Sequence, residues 1–144
     1  MNAREYLEQI QVIDVSISQD QELLDNMKLK ASSGGAIRYD KDKVQTSIVG
    51  SQIETDVCRY VDFERKLTEK IDRFADVREL IVSQIQGLKQ PNYMKVLFKV
   101  YVQYKFLKDA ATEMNLSYSY TLTLHQKALK EFGKVYRDKL HYLM

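Results

Sequence analysis

The sequence predicts an all-α protein: a long antiparallel, coiled-coil-like helical hairpin, then a compact three-helix domain of helix-turn-helix type. Three observations predict it. Glycine and proline are scarce, five and one among 144 residues, which favours long uninterrupted helices over strands and turns. Two long segments repeat apolar residues in alternating steps of four and three, the 3.5-residue period of a coiled-coil seam. A third stretch, residues 106–130, has the layout of a short helix, a three-residue turn and a second helix, as in helix-turn-helix readers of DNA.

In the first helix the seam runs through Tyr6, Ile10, Ile13, Ile17, Asp20, Leu24 and Met27. In the second it runs from Ile53, Val57, Tyr60, Glu64 and Leu67 through Ile71, Phe74 and Arg78 to Ile81, Ile85 and Leu88. No glycine or proline interrupts residues 51–86, a rod of roughly 50 Å at about 1.5 Å per residue. Such a rod must cover its apolar stripe by pairing. Residues 32–47 have loop composition, with Gly34-Gly35 and charges of alternating sign, and are expected to turn the chain back. The charged seam positions Asp20, Glu64 and Arg78 are of the kind that specify register. The first helix is the shorter, so the stripe from Leu67 to Leu88 is expected to dock on the C-terminal domain or on a second subunit.

Gly87 suits a helix end, and Pro91 suits the first turn of the next helix, which is expected from Asn92 to about Tyr104. Tyr93, Met94, Leu97, Phe98 and Tyr101 would form its packing face. Leu107, Ala110, Ala111 and Met114 share one face of the following short helix. The small Ala110-Ala111 pair permits a close crossing. Asn115 tolerates the left-handed conformation that ends a helix, Leu116 plugs the angle, and Ser117 is a good N-cap. In the last helix Thr121, Leu124, Ala128 and Phe132 share the core face. Two domains follow: 1–90 as a scaffold with loop 32–47, and 91–144 as the helix-turn-helix domain. Beyond Gly133, residues Val135, Tyr136, Leu140, Leu143 and Met144 are expected to pack on the scaffold or on a dimer seam.

The core assignment leaves Tyr118, Ser119, Leu122, Thr123, Gln126, Lys127 and Lys130 as the candidate DNA-binding residues. Hydroxyls and the Leu122 or Thr123 methyl groups can meet base edges, although no arginine lies among them. Lys127 and Lys130 are either phosphate contacts or solvated lysines. Tyr120 is expected to pack on the supporting helix. His125 would touch a phosphate or make a structural hydrogen bond. Lys95, Lys99, Lys105 and Lys108 are candidates for backbone contacts beside the groove.

Charge supports the division. Residues 1–90 hold 13 Lys/Arg and 16 Asp/Glu, whereas residues 91–144 hold 9 and 4, with seven of the ten tyrosines. A basic module beside a mildly acidic one suits phosphate binding. Gly34-Gly35 lacks the strand and Lys-Ser/Thr of a phosphate loop. No Ser, Thr or Cys stands in a nucleophile context, so no catalytic residue is expected. One cysteine and two histidines supply neither a disulfide framework nor a zinc site. Cys58 reads as a small apolar filler beside the seam, and no cofactor is implied. The absence of a membrane-length apolar run and of a signal-peptide core predicts a cytoplasmic protein.

The stretch from Met114 to Leu129 is similar to the reader in the fourth domain of bacterial primary sigma factors. More closely, the chain resembles small phage-encoded regulators grouped with the ArpU and RinA late-gene activators. Asp42-Lys43-Val44-Gln45-Thr46-Ser47 looks like their loop motif, and Gln90-Pro91-Asn92-Tyr93 like their inter-helix break. The resemblance implies a DNA-binding transcription regulator in a bacterial host, contacting promoter DNA beside RNA polymerase. A homodimer is expected, since one reader contacts too little DNA for useful specificity. Two other classes fit the same residues. One is a protein–protein adaptor that docks through the tyrosine-rich face. The other is a DNA-packaging recognition subunit.

Overall fold

The structure, a computed structural model, describes the backbone of residues 1–39 and 46–144 and the side chains of residues 1–32 and 52–144. Every regular element among them is helical: α1 (Ala3–Tyr39), α2 (Thr46–Gln86), α3 (Pro91–Leu97), α4 (Leu107–Glu113) and α5 (Tyr118–Val135). A π-helical turn (Phe98–Val102) prolongs α3, and a 3₁₀ turn (Arg137–Lys139) follows α5. The expected loop 32–47 is helical at 32–39 and from Thr46, and residues 40–45 lie outside the described residues. Loop-like composition weakens a helix without forbidding it, since an interior glycine costs only about 1 kcal/mol.

The chain divides into two compact units, residues 1–14 with 73–144, and residues 15–72. The expected boundary at 90 falls inside the first of them. Inside the first unit, Tyr6, Leu7 and Ile10 of α1 and Val77, Ile81 and Ile85 of α2 share one apolar cluster with Leu97, Tyr101, Leu124 and Phe132. The helix ends therefore belong with the C-terminal elements, because burial of their apolar side chains is what joins them. The stripe from Val77 to Leu88 is covered in this way.

Hydrogen bonds also tie this core together. The Tyr6 hydroxyl donates to Gln84 Oε1 at 2.8 Å, a buried pair that satisfies both groups. The Tyr136 hydroxyl donates to the Gln84 carbonyl at 2.6 Å. The buried Gln9 amide clamps the tail, donating to the His141 carbonyl at 3.1 Å and accepting from Leu143 N–H at 2.9 Å. Tyr136, Leu140 and Leu143 pack on the core as expected, while Val135 and Met144 are exposed.

The supporting helix is shorter than expected. It ends in the π turn, where Gln103 N–H reaches the Phe98 carbonyl, and Tyr104 then adopts φ 58°. Val96 and Val102, not expected in its packing face, are buried. Gly87 has no positive φ, so its place at the end of α2 is not that of a left-handed cap. A Cβ there would instead collide with the Tyr136 hydroxyl.

In the second unit, Leu24, Ala31 and Leu67 are buried, and Ile17, Met27, Ile53, Val57 and Tyr60 are half-buried, as the seam predicts, whereas the seam residue Ile71 is exposed. Lys70 Nζ donates to Ser16 Oγ and to Asp20 Oδ2, the latter at 2.7 Å, while Lys28 pairs with Glu64 at 3.0 Å. Partners advance along α1 as they retreat along α2, so the two segments run in opposite senses. Asp20 and Glu64 thus meet cations, whereas Arg78, in the first unit, is exposed. Cys58 is exposed and free, not a filler against the seam.

Candidate nucleic-acid interface

The candidate site is the outer face of α5. Ser117 caps the helix by accepting from Tyr120 N–H at 3.1 Å, and the preceding turn bends at Asn115, with φ 56°. Both follow from local chemistry: Asn tolerates the left-handed region, and a serine hydroxyl satisfies a free N–H at the helix start. Met114 N–H and Leu116 N–H close the end of α4 on the Ala110 and Ala111 carbonyls. Ala110 and Ala111 are buried, and α4 packs against α5, where small side chains allow close approach.

The buried face of α5 holds Thr121, Leu124, Ala128 and Phe132. Thr121 is tolerated there because its hydroxyl donates to the Ser117 carbonyl at 2.8 Å. Around the opposite face Tyr118, Ser119, Leu122, Thr123, Gln126, Lys127 and Lys130 are all exposed, so the seven candidates share one helix and one side. At about 100° per residue, Ser119, Thr123, Gln126 and Lys130 run along its centre. Tyr118 and Leu122 flank them on one side and Lys127 on the other.

Tyr120 departs from expectation. It is 52% exposed, on the same flank as Lys127. His125 is buried and shares a 2.8 Å hydrogen bond between Nε2 and the Tyr101 hydroxyl, with the two rings stacked. Of its two expected roles it takes the structural one. Burial holds the His125 imidazole below its ordinary pKa, with a smaller push from Arg4. Burial also pushes the Tyr101 phenol up to about 12, with smaller opposed effects from Arg4 and Glu8.

The flanking lysines split into two pairs. Lys105 and Lys99 both pair with Glu113 at the end of α4, which holds that carboxyl below its ordinary pKa, chiefly through the Lys105 hydrogen bond. These two ammonium groups are already matched. Lys95 and Lys108 are exposed. The Glu113 cluster spans the π turn, the corner and α4, so no local sequence period announces it.

Among the described residues, no group of three or more His, Cys, Asp or Glu is placed to hold a metal ion. No helix there is long and apolar enough to cross a membrane. Comparison with family models, with curated proteins and with solved structures finds no match to this chain.

Proposed function

We propose that the chain is a DNA-binding transcription regulator of the phage late-gene activator type, with α4 and α5 acting as a helix-turn-helix and α5 entering the major groove. The observation that carries this reading is the two-faced α5. Its inner face is fully used in the core, while its outer face offers short polar groups, methyls and an amide in the centre with lysines beside them. That composition suits base edges framed by phosphates, and the net positive charge of residues 91–144 favours approach to DNA. In this reading α1 and α2 form the hairpin scaffold, the protein acts as a homodimer, and promoter contact takes place beside RNA polymerase.

Gel-shift titration on the DNA upstream of the protein's own operon tests it. Gln126→Ala should reduce preference for the bound site over random duplex by about 1–3 kcal/mol, and Thr123→Ala by about 0.8 kcal/mol, one methyl contact. Lys127→Ala and Lys130→Ala should weaken binding to all duplexes alike and flatten the salt dependence. Four variants that bind as the parent does would end the proposal.

A second reading, the adaptor, is favoured by one observation: Tyr118, Tyr120 and Leu122 are 54%, 52% and 40% exposed near the start of α5. Tyrosine gives a large contact area at low entropy cost. Under that reading purified RNA polymerase retains the protein without DNA, and Tyr118→Ala with Leu122→Ala abolishes retention.

A further inference from the structure

The outer face of α5 carries a chemistry that selects among base pairs. We propose that it reads A·T pairs in the major groove, through thymine methyl groups and the adenine edge, and leaves guanine unread. The inference rests on the DNA-reading function proposed above and names its substrate class.

Guanine is recognised mainly by the two-pronged fork of arginine, or by lysine, on O6 and N7, and cytosine by a carboxylate on its amino group. Residues 118–130 contain neither an arginine nor an acid. Of the two lysines, Lys127 lies about 100° round the helix from Gln126, on the flank where a phosphate wall would stand. Lys130 is on the central line but more than three turns in, beyond the N-terminal part of the helix that meets base edges.

What remains in the centre suits an A·T pair. The Thr123 hydroxyl donates back to the Ser119 carbonyl at 3.4 Å, which turns it toward the helix backbone and leaves the side-chain methyl as the group presented outward. Leu122, 40% exposed beside it, adds a second apolar surface. The thymine C5-methyl is the one apolar feature of the major-groove edges, and methyl-bearing side chains meet it. Gln126, one turn on, has the amide that accepts from adenine N6 and donates to N7. One helix face therefore offers a partner for each half of the pair.

The test uses the full-length protein and a randomised duplex pool selected at low salt. The bound duplexes are expected to carry an A·T core. The same duplex remade with deoxyuridine for thymidine loses only the C5-methyl groups. It should bind about fourfold more weakly for each contacted methyl, the effect of burying one CH₂ group. Thr123→Ser, which keeps the hydroxyl and removes the methyl, should bring the thymidine-to-deoxyuridine ratio at one position close to one. Gln126→Ala should relax the adenine preference beside it. A selected G·C core, or indifference to deoxyuridine, overturns the inference while leaving DNA binding intact. Retention of no duplex of any composition overturns it together with the DNA-reading function.

Discussion

His125 and Tyr104 show how single side chains set the conditions under which the first unit is stable. Below about pH 6.5 the unfolded chain takes up a proton that buried His125 resists. The unfolded state then binds more protons, and stability falls as the pH drops. Urea midpoints at pH 7.5 and 5.5 should show this loss, and His125→Gln should reduce it. The opposite limb comes from the phenols. Burial raises Tyr6, Tyr101, Tyr104 and Tyr136, so stability present below pH 10 is lost as the pH climbs toward the Tyr101 value of about 12. Tyr104 has a second burden. Its φ of 58° is unfavourable for a bulky residue, and its hydroxyl, donating to Asp14 Oδ2 at 2.7 Å, helps to hold it there. Tyr104→Phe should lower unfolding free energy by about 1–2 kcal/mol, and more than a hydroxyl deletion at exposed Tyr142, as read from denaturant titration.

Among the elements, the end of α2 is held by close approach instead of by a capping group. Gly87 N–H bonds the Ser83 and Gln84 carbonyls, and the Tyr136 hydroxyl occupies the space a side chain would need. Gly87→Ala should therefore destabilise by about 1–3 kcal/mol, the usual cost of forcing an atom into a packed site. Part of that loss should return in the Gly87→Ala, Tyr136→Phe double variant, because the obstructing oxygen is gone. A strictly additive pair in thermal melts would refute the close-contact explanation. α5 shows the opposite economy: capping, core face and outer face are each set by residues within the helix or next to it.

For the whole molecule, the units matter more than the order of the chain. Residues 91–144 do not form a compact unit alone, because Tyr6, Leu7, Ile10, Ile81 and Ile85 are fully or almost fully buried in the same core. A chain ending at residue 90 would bare those five side chains to water, at about 1.5–3 kcal/mol each. The expected product is less helical per residue than the parent and prone to association, by far-UV dichroism and gel filtration. A monodisperse, fully helical fragment would show that the two long helices need no C-terminal partner.

The helical class, the αL turn at Asn115, the Ser117 cap and the two faces of α5 were all legible in the sequence. Each depends on residues within about two turns of one another, and periodicity and capping act over that range. The seven candidate residues were placed on one exposed face for the same reason. Contacts between distant residues decided the rest. His125 turned inward because of the Tyr101 that the π turn places beside it. Lys99 and Lys105 were drawn to Glu113, and Gly87 was fixed by a tyrosine 49 positions further along the chain. The boundary of the first unit was likewise decided only when Tyr6 and Ile10 met Ile81, Ile85 and Phe132. Apolar burial is non-directional and indifferent to separation along the chain, so no local pattern in the sequence records which faces will meet.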